Sequence, residues 1–475
     1  MRWIAGSRRT VEAVEGRSLL KSAAMLAIGV IAVTAAVVPV KRGLGARTRP
    51  NTTVKDPGIR GGAANVGGML PRLTAAEQGY FNDGLANFNA VIAIPQGLGP
   101  LFNENQCSSC HAQPAAGGGA PGTNPVFSVY QLDGAQNVMP SFETQTGPAL
   151  VARFPFMSDG VTPDGTVHQL FTITGRSDAQ GCSISQPTWP TNVALHQPLP
   201  VFGDGFLEIY DNTTLTANMS AVCAQTQFGV CGTPNISGND GSILRLGWKA
   251  QWRSLTLAAG EEYNVESGVT NEFFPTELNQ TPGCQLNAIP ESGTNFNGLT
   301  GQPDQFVGAP TRMGLFMRFS AGPTPVAFNA AALNGQQQFI NIGCATCHTF
   351  PGSNASMVTP LSSVVPLSQA SPKAYTDLML HHMGPCLADG IVFGAAQGDM
   401  FRTPPLWGDG KRIFFMHGGV NGTGLLTTDL LQAIQNHFCA GNSQYPASEA
   451  NTVINNFNAL SATNQQDILD FIRDL

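Results

Sequence analysis

Charge is scarce in this chain of 475 residues: Asp, Glu, Lys and Arg together make up 12% of it, about half the usual share. That excludes an architecture of long, salt-bridged surface helices and points to loop-rich globular packing, in keeping with 54 Gly and 33 Pro. Basic clusters interleaved with aromatic residues are missing and the net charge is −7, which excludes a nucleic-acid partner. No repeat with a period of roughly 20–50 residues runs through the chain, so solenoids and propellers are excluded. Histidine is rare as well, at 8 residues, yet two of the eight directly follow the only two C-x-x-C pairs formed by the 10 cysteines.

Those pentapeptides, Cys107-Ser108-Ser109-Cys110-His111 and Cys344-Ala345-Thr346-Cys347-His348, have the pattern of covalent haem c attachment sites. Two thiols three positions apart can add to the two vinyl groups of one haem, and the histidine that follows swings under the ring to ligate iron. At these cysteine and histidine frequencies chance predicts about 0.004 such motifs per chain. A zinc ribbon needs two ligand pairs folded closely together, whereas these lie 237 positions apart, from 107 to 344. The cofactors expected are two covalently bound haem c groups on Cys107, Cys110, Cys344 and Cys347, with His111 and His348 as iron ligands.

Residues 1–22 carry Arg2, Arg8, Arg9, Arg17 and Lys21, and Ala23 to Val40 then runs for 18 residues without a charge. This is the pattern of an export segment. The run is long for a signal core, barely long enough to span a bilayer, and is followed by Lys41 and Arg42, so a trimmed signal peptide and an N-terminal anchor to the inner membrane both fit. Haem c is attached outside the bacterial cytoplasmic membrane, so the mature protein is expected in the periplasm. In that oxidising compartment Cys182, Cys223, Cys231, Cys284, Cys386 and Cys439 are expected as disulfides. Cys223 with Cys231 closes the shortest loop, and Cys386 with Cys439 would staple the C-terminal part.

Residues 1–40 are thus the export segment, and the Gly-, Arg- and Pro-rich residues 41–70 read as a linker. A first haem domain is expected over 71–325 and a second over 326–475, mainly α in class. Thr74-Ala75-Ala76-Glu77 is a capping box ahead of Tyr80, Phe81, Leu85, Phe88 and Val91, which fit one helix face. Ala330 to Ile342 leads into the second motif in the same way. Ile468, Leu469, Phe471, Ile472 and Leu475 have helical spacing after a polar start at Ser461, and this helix is expected to cross the one before the motif. Short β-prone runs such as Phe127-Ser128-Val129-Tyr130 and Phe171-Thr172-Ile173 suggest a disulfide-tied insertion, about 114–240, of loops and short strands in the first domain.

Several stretches resemble a known family. Leu101-Phe102-Asn103 through the first motif to Gly117-Gly118-Gly119, Leu246-Gly247-Trp248-Lys249-Ala250-Gln251, Val265-Glu266-Ser267-Gly268-Val269-Thr270-Asn271, Ala374-Tyr375-Thr376-Asp377-Leu378 to His382-Met383-Gly384, and Phe401-Arg402-Thr403-Pro404-Pro405-Leu406-Trp407-Gly408 are similar to the di-haem oxidoreductases, proteins also labelled peroxidases and thiol oxidoreductases. More distantly they resemble bacterial di-haem cytochrome c peroxidases. The chain departs from the family where His382 stands between His381 and Met383, a position often held by Asp. It departs again at His417-Gly418-Gly419-Val420-Asn421, where many members read H-D-G-R-A, and at His437-Phe438-Cys439-Ala440-Gly441, where the family has H-G-G-E-A.

The resemblance implies two cytochrome c-like domains and an exported oxidoreductase that reduces a peroxide at one haem with electrons relayed by the other. A small redox protein is the expected donor, a Ca2+ ion is compatible with the chain, and nothing in the sequence fixes the oligomeric state. Alignment places Glu266 as the acid–base group and His437 on the sixth position of the second iron, with Met383 next and His381, His382 and His417 as further candidates. For the first iron only His168 and His196 are distal histidine candidates, both expected as turn or surface residues, which leaves that iron open. Glu261, Glu262 and Glu272 are expected as solvated carboxylates. Trp248 and Trp407 could be aromatic stepping stones or packed core residues, and Arg402 and Arg245 could pair with haem propionates or surface carboxylates. The rival readings are a di-haem electron carrier without a substrate and an oxidoreductase of a thiol or other organic molecule.

Overall fold

A computed structural model describes residues 53–61, 65–135, 139–156, 162, 176–182, 192–286, 290–292, 295–296, 303–305, 307–420 and 425–475. The export segment, His168 and Phe171-Thr172-Ile173 lie outside them. The protein is mainly α, with eleven helices among the described residues: α1 (Ala75–Phe88), α2 (Cys107–Cys110), α3 (Val126–Val129), α4 (Asp204–Ile209), α5 (Asn212–Cys223), α6 (Leu255–Ser267), α7 (Ala309–Phe319), α8 (Ala330–Asn341), α9 (Leu430–Gln435), α10 (Asn451–Ala459) and α11 (Ala462–Arg473). No described helix is long and apolar enough to cross a membrane.

Each C-x-x-C-H is delivered by a helix that crosses another at a glycine. The capping box at Thr74 and Glu77 starts α1, which buries Phe81, Gly84 and Phe88, while Tyr80 and Val91, expected on the same face, are exposed. Asn329 caps α8, whose buried residues are Ala332, Gly335 and Phe339. A Cβ on Gly84 would lie 2.1 Å from the Arg312 carbonyl oxygen of α7, and one on Gly335 would lie 1.9 Å from the Asp467 carbonyl oxygen of α11. Four residues on, one helical turn later, Phe88 packs on Phe316 and on the His111 ring, and Phe339 packs on Phe471 and on the His348 ring. The same G-x-x-x-F device thus seats both motif histidines.

Strands are two or three residues long. β1 (Val151–Arg153), β2 (Ala194–His196) and β9 (Gly418–Val420) form an antiparallel sheet in which His196 pairs with Gly418. Two hairpins, β3 (Asn235–Ile236) with β4 (Ile243–Leu244) and β5 (Asn295–Phe296) with β6 (Pro303–Gln305), precede the antiparallel pair β7 (Leu380–His382) and β8 (Met400–Arg402). Phe127-Ser128-Val129-Tyr130, expected to be extended, lies mostly in α3, because Pro125 and the Asn124 side chain, which accepts from Val126 N, start a helical turn there. The span expected as an insertion also holds α4 and α5, so it is more helical than its sequence suggests.

Six cysteines form three disulfides, Cys182–Cys284, Cys223–Cys231 and Cys386–Cys439. The loop closed by the second places Phe228 and Val230 against Cys344 and Cys347. Within the span read as a linker, residues 53–61 lie along α11: the Asp56 carboxylate takes Arg473 Nη2 at 2.6 Å, and Arg60 reaches Asp470 and Asp474 at 3.1 Å.

Candidate functional site

Two cavities adjoin the two motifs, the larger at the first. The larger is lined by Cys107, Cys110 and His111, by Phe88, by Met313 and Met317 of α7, by His196 and Gln197, and by one face of α6. Cys107 Sγ stands 3.7 Å from Met313 Sδ. The smaller is lined by Cys344, Cys347 and His348, by Phe339, and by His381, Met383, His417 and His437.

Four carboxylates line the first cavity: Glu104, Asp204, Glu262 and Glu266. Asn103 Nδ2 donates to Glu266 Oε2 at 2.9 Å, and the Asn103 and Glu104 amides donate to the Glu266 carbonyl, which locks the end of α6 onto the loop leading to the motif. Glu104 is buried, and burial together with the Glu266 charge pushes it up to about 7, although the Asn105 amide and Ser109 favour its ionised form. Burial also pushes Glu262 up to about 8; Arg153 opposes the shift, and Glu266 and Glu261 reinforce it. Glu262 is therefore not the freely solvated helix-end carboxylate expected from sequence: it stands inside α6 and lines the cavity, with its side chain 36% exposed. Four residues before Glu266 on α6, it shares that residue's face.

His196 was expected on a turn or at the surface. It is buried in β2, between β1 and β9, and lines the first cavity. Its Nε2 lies 2.9 Å from Asp389 Oδ2, while Lys249 Nζ binds Asp389 Oδ1 at 2.7 Å. With Nε2 tied to a carboxylate, His196 is not arranged like a histidine offering that nitrogen to iron.

The second cavity offers the opposite arrangement. His348 Nδ1 is 3.1 Å from the Tyr375 carbonyl oxygen and His437 Nδ1 is 2.8 Å from that of Ala433, so in both rings Nε2 is the nitrogen left to bind. Such a carbonyl contact fixes ring orientation and tautomer in metal-ligating histidines. Burial, with the neighbouring His437, pushes His348 down to about 3, which keeps its imidazole neutral. His381 is instead clamped between Asp377 at 2.9 Å and Glu449 at 3.0 Å, and His382 turns to Asp399 at 2.9 Å and does not line the cavity.

Trp248 and Arg402 line both cavities and form their common wall. Trp248 Nε1 donates to the Gln197 carbonyl at 3.0 Å, and its ring lies 6.4 Å from that of His196 and 5.8 Å from that of His417, which stacks on Phe401 at 4.1 Å. Arg402 is anchored by Nε to the Gly247 carbonyl at 2.7 Å. Of the two alternatives for Trp407 the packed one is seen: it lines neither cavity and packs against Gly203 and Gly322. Arg245 pairs with no surface carboxylate and lines neither cavity, because its guanidinium is spent on the carbonyls of Leu207, Glu208 and Tyr210 and on Asn212.

The chemistry of the walls fits a haem in each cavity. While six cysteines pair, Cys107, Cys110, Cys344 and Cys347 are free. Burial pushes the Cys107 and Cys344 thiols up to about 12. Ten buried side-chain polar atoms lack a hydrogen-bond partner among the described residues, and six belong to residues of these walls: Asn103, Glu104, His111 and Arg153 at the first, Arg412 and His417 at the second. Orphaned groups are rare in native interiors and here they concentrate where a polar-edged ligand would sit. The described residues hold no cluster of three or more His, Cys, Asp or Glu able to bind a metal ion, so no such donor set for Ca2+ is found among them.

The sequence reading took His196 for a turn or surface residue and Glu262 for a solvated carboxylate, and it singled out neither Glu104 nor Asp204; only the four-residue spacing of Glu262 and Glu266 could have marked one of them as a cavity residue. No curated protein is matched by the chain. Residues 192–475 do match a family profile, over a span that contains the second motif, Trp248, Glu266, Arg402 and His437 and begins after the first motif. As that span is more than half of the chain, the protein belongs to the family described as "Di-haem oxidoreductase, putative peroxidase".

Proposed function

We propose that the protein is an exported, periplasmic di-haem c enzyme that reduces a peroxide at the first cavity with electrons received through the second. The observation that carries this reading is the asymmetry of the two walls: four carboxylates (Glu104, Asp204, Glu262 and Glu266) and two histidines line the first cavity, whereas four histidines (His348, His381, His417 and His437) and two carboxylates (Asp409 and Glu449) line the second. In this reading Cys107, Cys110, Cys344 and Cys347 would hold the two haems as thioethers in a cytochrome c-like arrangement, His111 and His348 would ligate the irons, and His437 would supply a second ligand at the second site, with Met383 as the alternative. The haems supply the storage and transfer of electrons, delivered by a small redox protein.

The chain itself supplies binding and proton movement. Glu266, oriented by Asn103, takes a proton from one peroxide oxygen and returns it to the other, so that the departing oxygen leaves as water. Trp248 and Arg402, packed between the cavities, keep the two sites adjacent and exclude water from the wall between them. The test is Glu266→Gln, which keeps the shape and abolishes proton exchange. Acid–base groups of this kind contribute typically about 10²–10⁴-fold, so peroxide turnover with an artificial electron donor should fall by that factor while both haem spectra persist. Equal turnover in the variant would remove Glu266 from the mechanism. Absence of peroxidase activity in the wild type would favour simple electron carriage.

A further inference from the structure

We infer that Glu262 relays protons from solvent to Glu266, so that α6 carries a two-carboxylate path into the first cavity. This relay presupposes the peroxide-reducing function proposed above. Glu262 does not touch the peroxide; it acts through Glu266.

Stoichiometry creates the need. Each turnover combines one H2O2 with two electrons from the reduced donor protein and two protons, breaks the O–O bond and releases two H2O. When Glu266 moves a proton from one peroxide oxygen to the other it adds none, so the two protons that complete the waters come from outside. Glu266 is only partly exposed and held by Asn103, on a helix end pinned beneath the motif loop. Glu262 lies one turn earlier on the same face of α6, lines the same cavity and has the Glu266 carboxyl beside it. At the same time its side chain is 36% exposed. A carboxyl that touches both solvent and Glu266 can hand one proton inward and take another from water.

The surrounding groups set when that proton is present. Arg153 of β1, 3.5 Å from Glu262 Oε1, favours the ionised form. Burial, the most important influence, favours the neutral form, as do Glu266 and Glu261 on α6, and together they hold Glu262 at about 8. Glu104, which faces Glu266 from the motif loop, is held at about 7 and is almost fully buried, so it cannot exchange with solvent as Glu262 does. Glu262 therefore carries a proton to give below about pH 8 and loses it above.

The test is Glu262→Gln in the haem-loaded protein. Its kcat for peroxide should fall about 10-fold or more at neutral pH with KM unchanged, the decline of turnover through pH 8 should vanish, and small weak acids such as acetic acid should restore the rate. Glu262→Asp should recover part of it. Independently of turnover, the infrared carbonyl band of a protonated carboxyl at neutral pH should weaken in Glu262→Gln. If Glu262→Gln matches wild type while Glu266→Gln fails, the relay falls and the role of Glu266 stands. A loss of rate that weak acids do not restore, with the infrared band unchanged, also overturns the relay, since that is how a purely structural residue would behave. If the wild type reduces no peroxide, the proposed function falls and the relay with it.

Discussion

At Asp389 three donors converge on one carboxylate with no exposure to solvent: Lys249 Nζ at 2.7 Å, His196 Nε2 at 2.9 Å and the Ile391 amide at 2.9 Å. Burying two opposite charges costs desolvation that their attraction offsets only while both are present. Burial favours a neutral Asp389, yet Lys249 and His196 outweigh it and hold the carboxyl below its usual range. Asp389→Asn would leave Lys249, 1% exposed, as an uncompensated buried cation. We expect it to destabilise the fold by about 3–5 kcal/mol, seen as a lowered thermal midpoint, whereas Asp83→Asn at the exposed Arg312 pair should cost no more than about 1 kcal/mol. Similar midpoints for the two variants would contradict the structural role of the buried pair. None of this was legible in the sequence, because His196, Lys249 and Asp389 are far apart in the chain and only the pairing of β2 with β9 and the fold around it bring them together.

The helices before the motifs show what the sequence did reveal. The capping box of α1, the Asn-capped run of α8 and the apolar spacing of α11 were all readable, since caps and helical periodicity are local. The crossing points were not, although Gly84 and Gly335 mark them. Alanine raises helix propensity over glycine by about 1 kcal/mol, but at Gly335 its Cβ would meet a backbone oxygen at 1.9 Å, and backbone cannot yield as a side chain can. Gly335→Ala and Gly84→Ala should therefore each destabilise by about 1–3 kcal/mol or more. Each should also disturb the absorption spectrum of the adjacent haem, because Phe339 and Phe88 seat the His348 and His111 rings from the same turns. A stabilised Gly335→Ala would contradict the close crossing. The β-prone run Phe127-Ser128-Val129-Tyr130 misled for the complementary reason: β propensity is weak beside context, and Pro125 with Asn124 was enough to turn Val126–Val129 into a helix.

On the scale of the whole molecule, one design is used twice and then made asymmetric. Both motifs follow a G-x-x-x-F helix, both cavities lie open to their free thiols, and Trp248 and Arg402 serve as wall to each. The ring of groups around each cavity differs in balance: four carboxylates and two imidazoles at the first, two carboxylates and four imidazoles at the second. If both thiol pairs are attachment points, as their spacing and their exclusion from the three disulfides argue, the denatured wild-type chain should carry the mass of two haems. Cys344→Ala combined with Cys347→Ala should carry one, while Cys386→Ala with Cys439→Ala should still carry two, since that pair is already joined in a disulfide. The distinction matters because a haem held only by axial histidines would fit the same cavities but would leave with acid and organic solvent. Extraction of haem from the intact wild-type chain under those conditions would reduce the four free cysteines to lining residues, and retention of two haems by the doubly substituted second motif would do the same for Cys344 and Cys347.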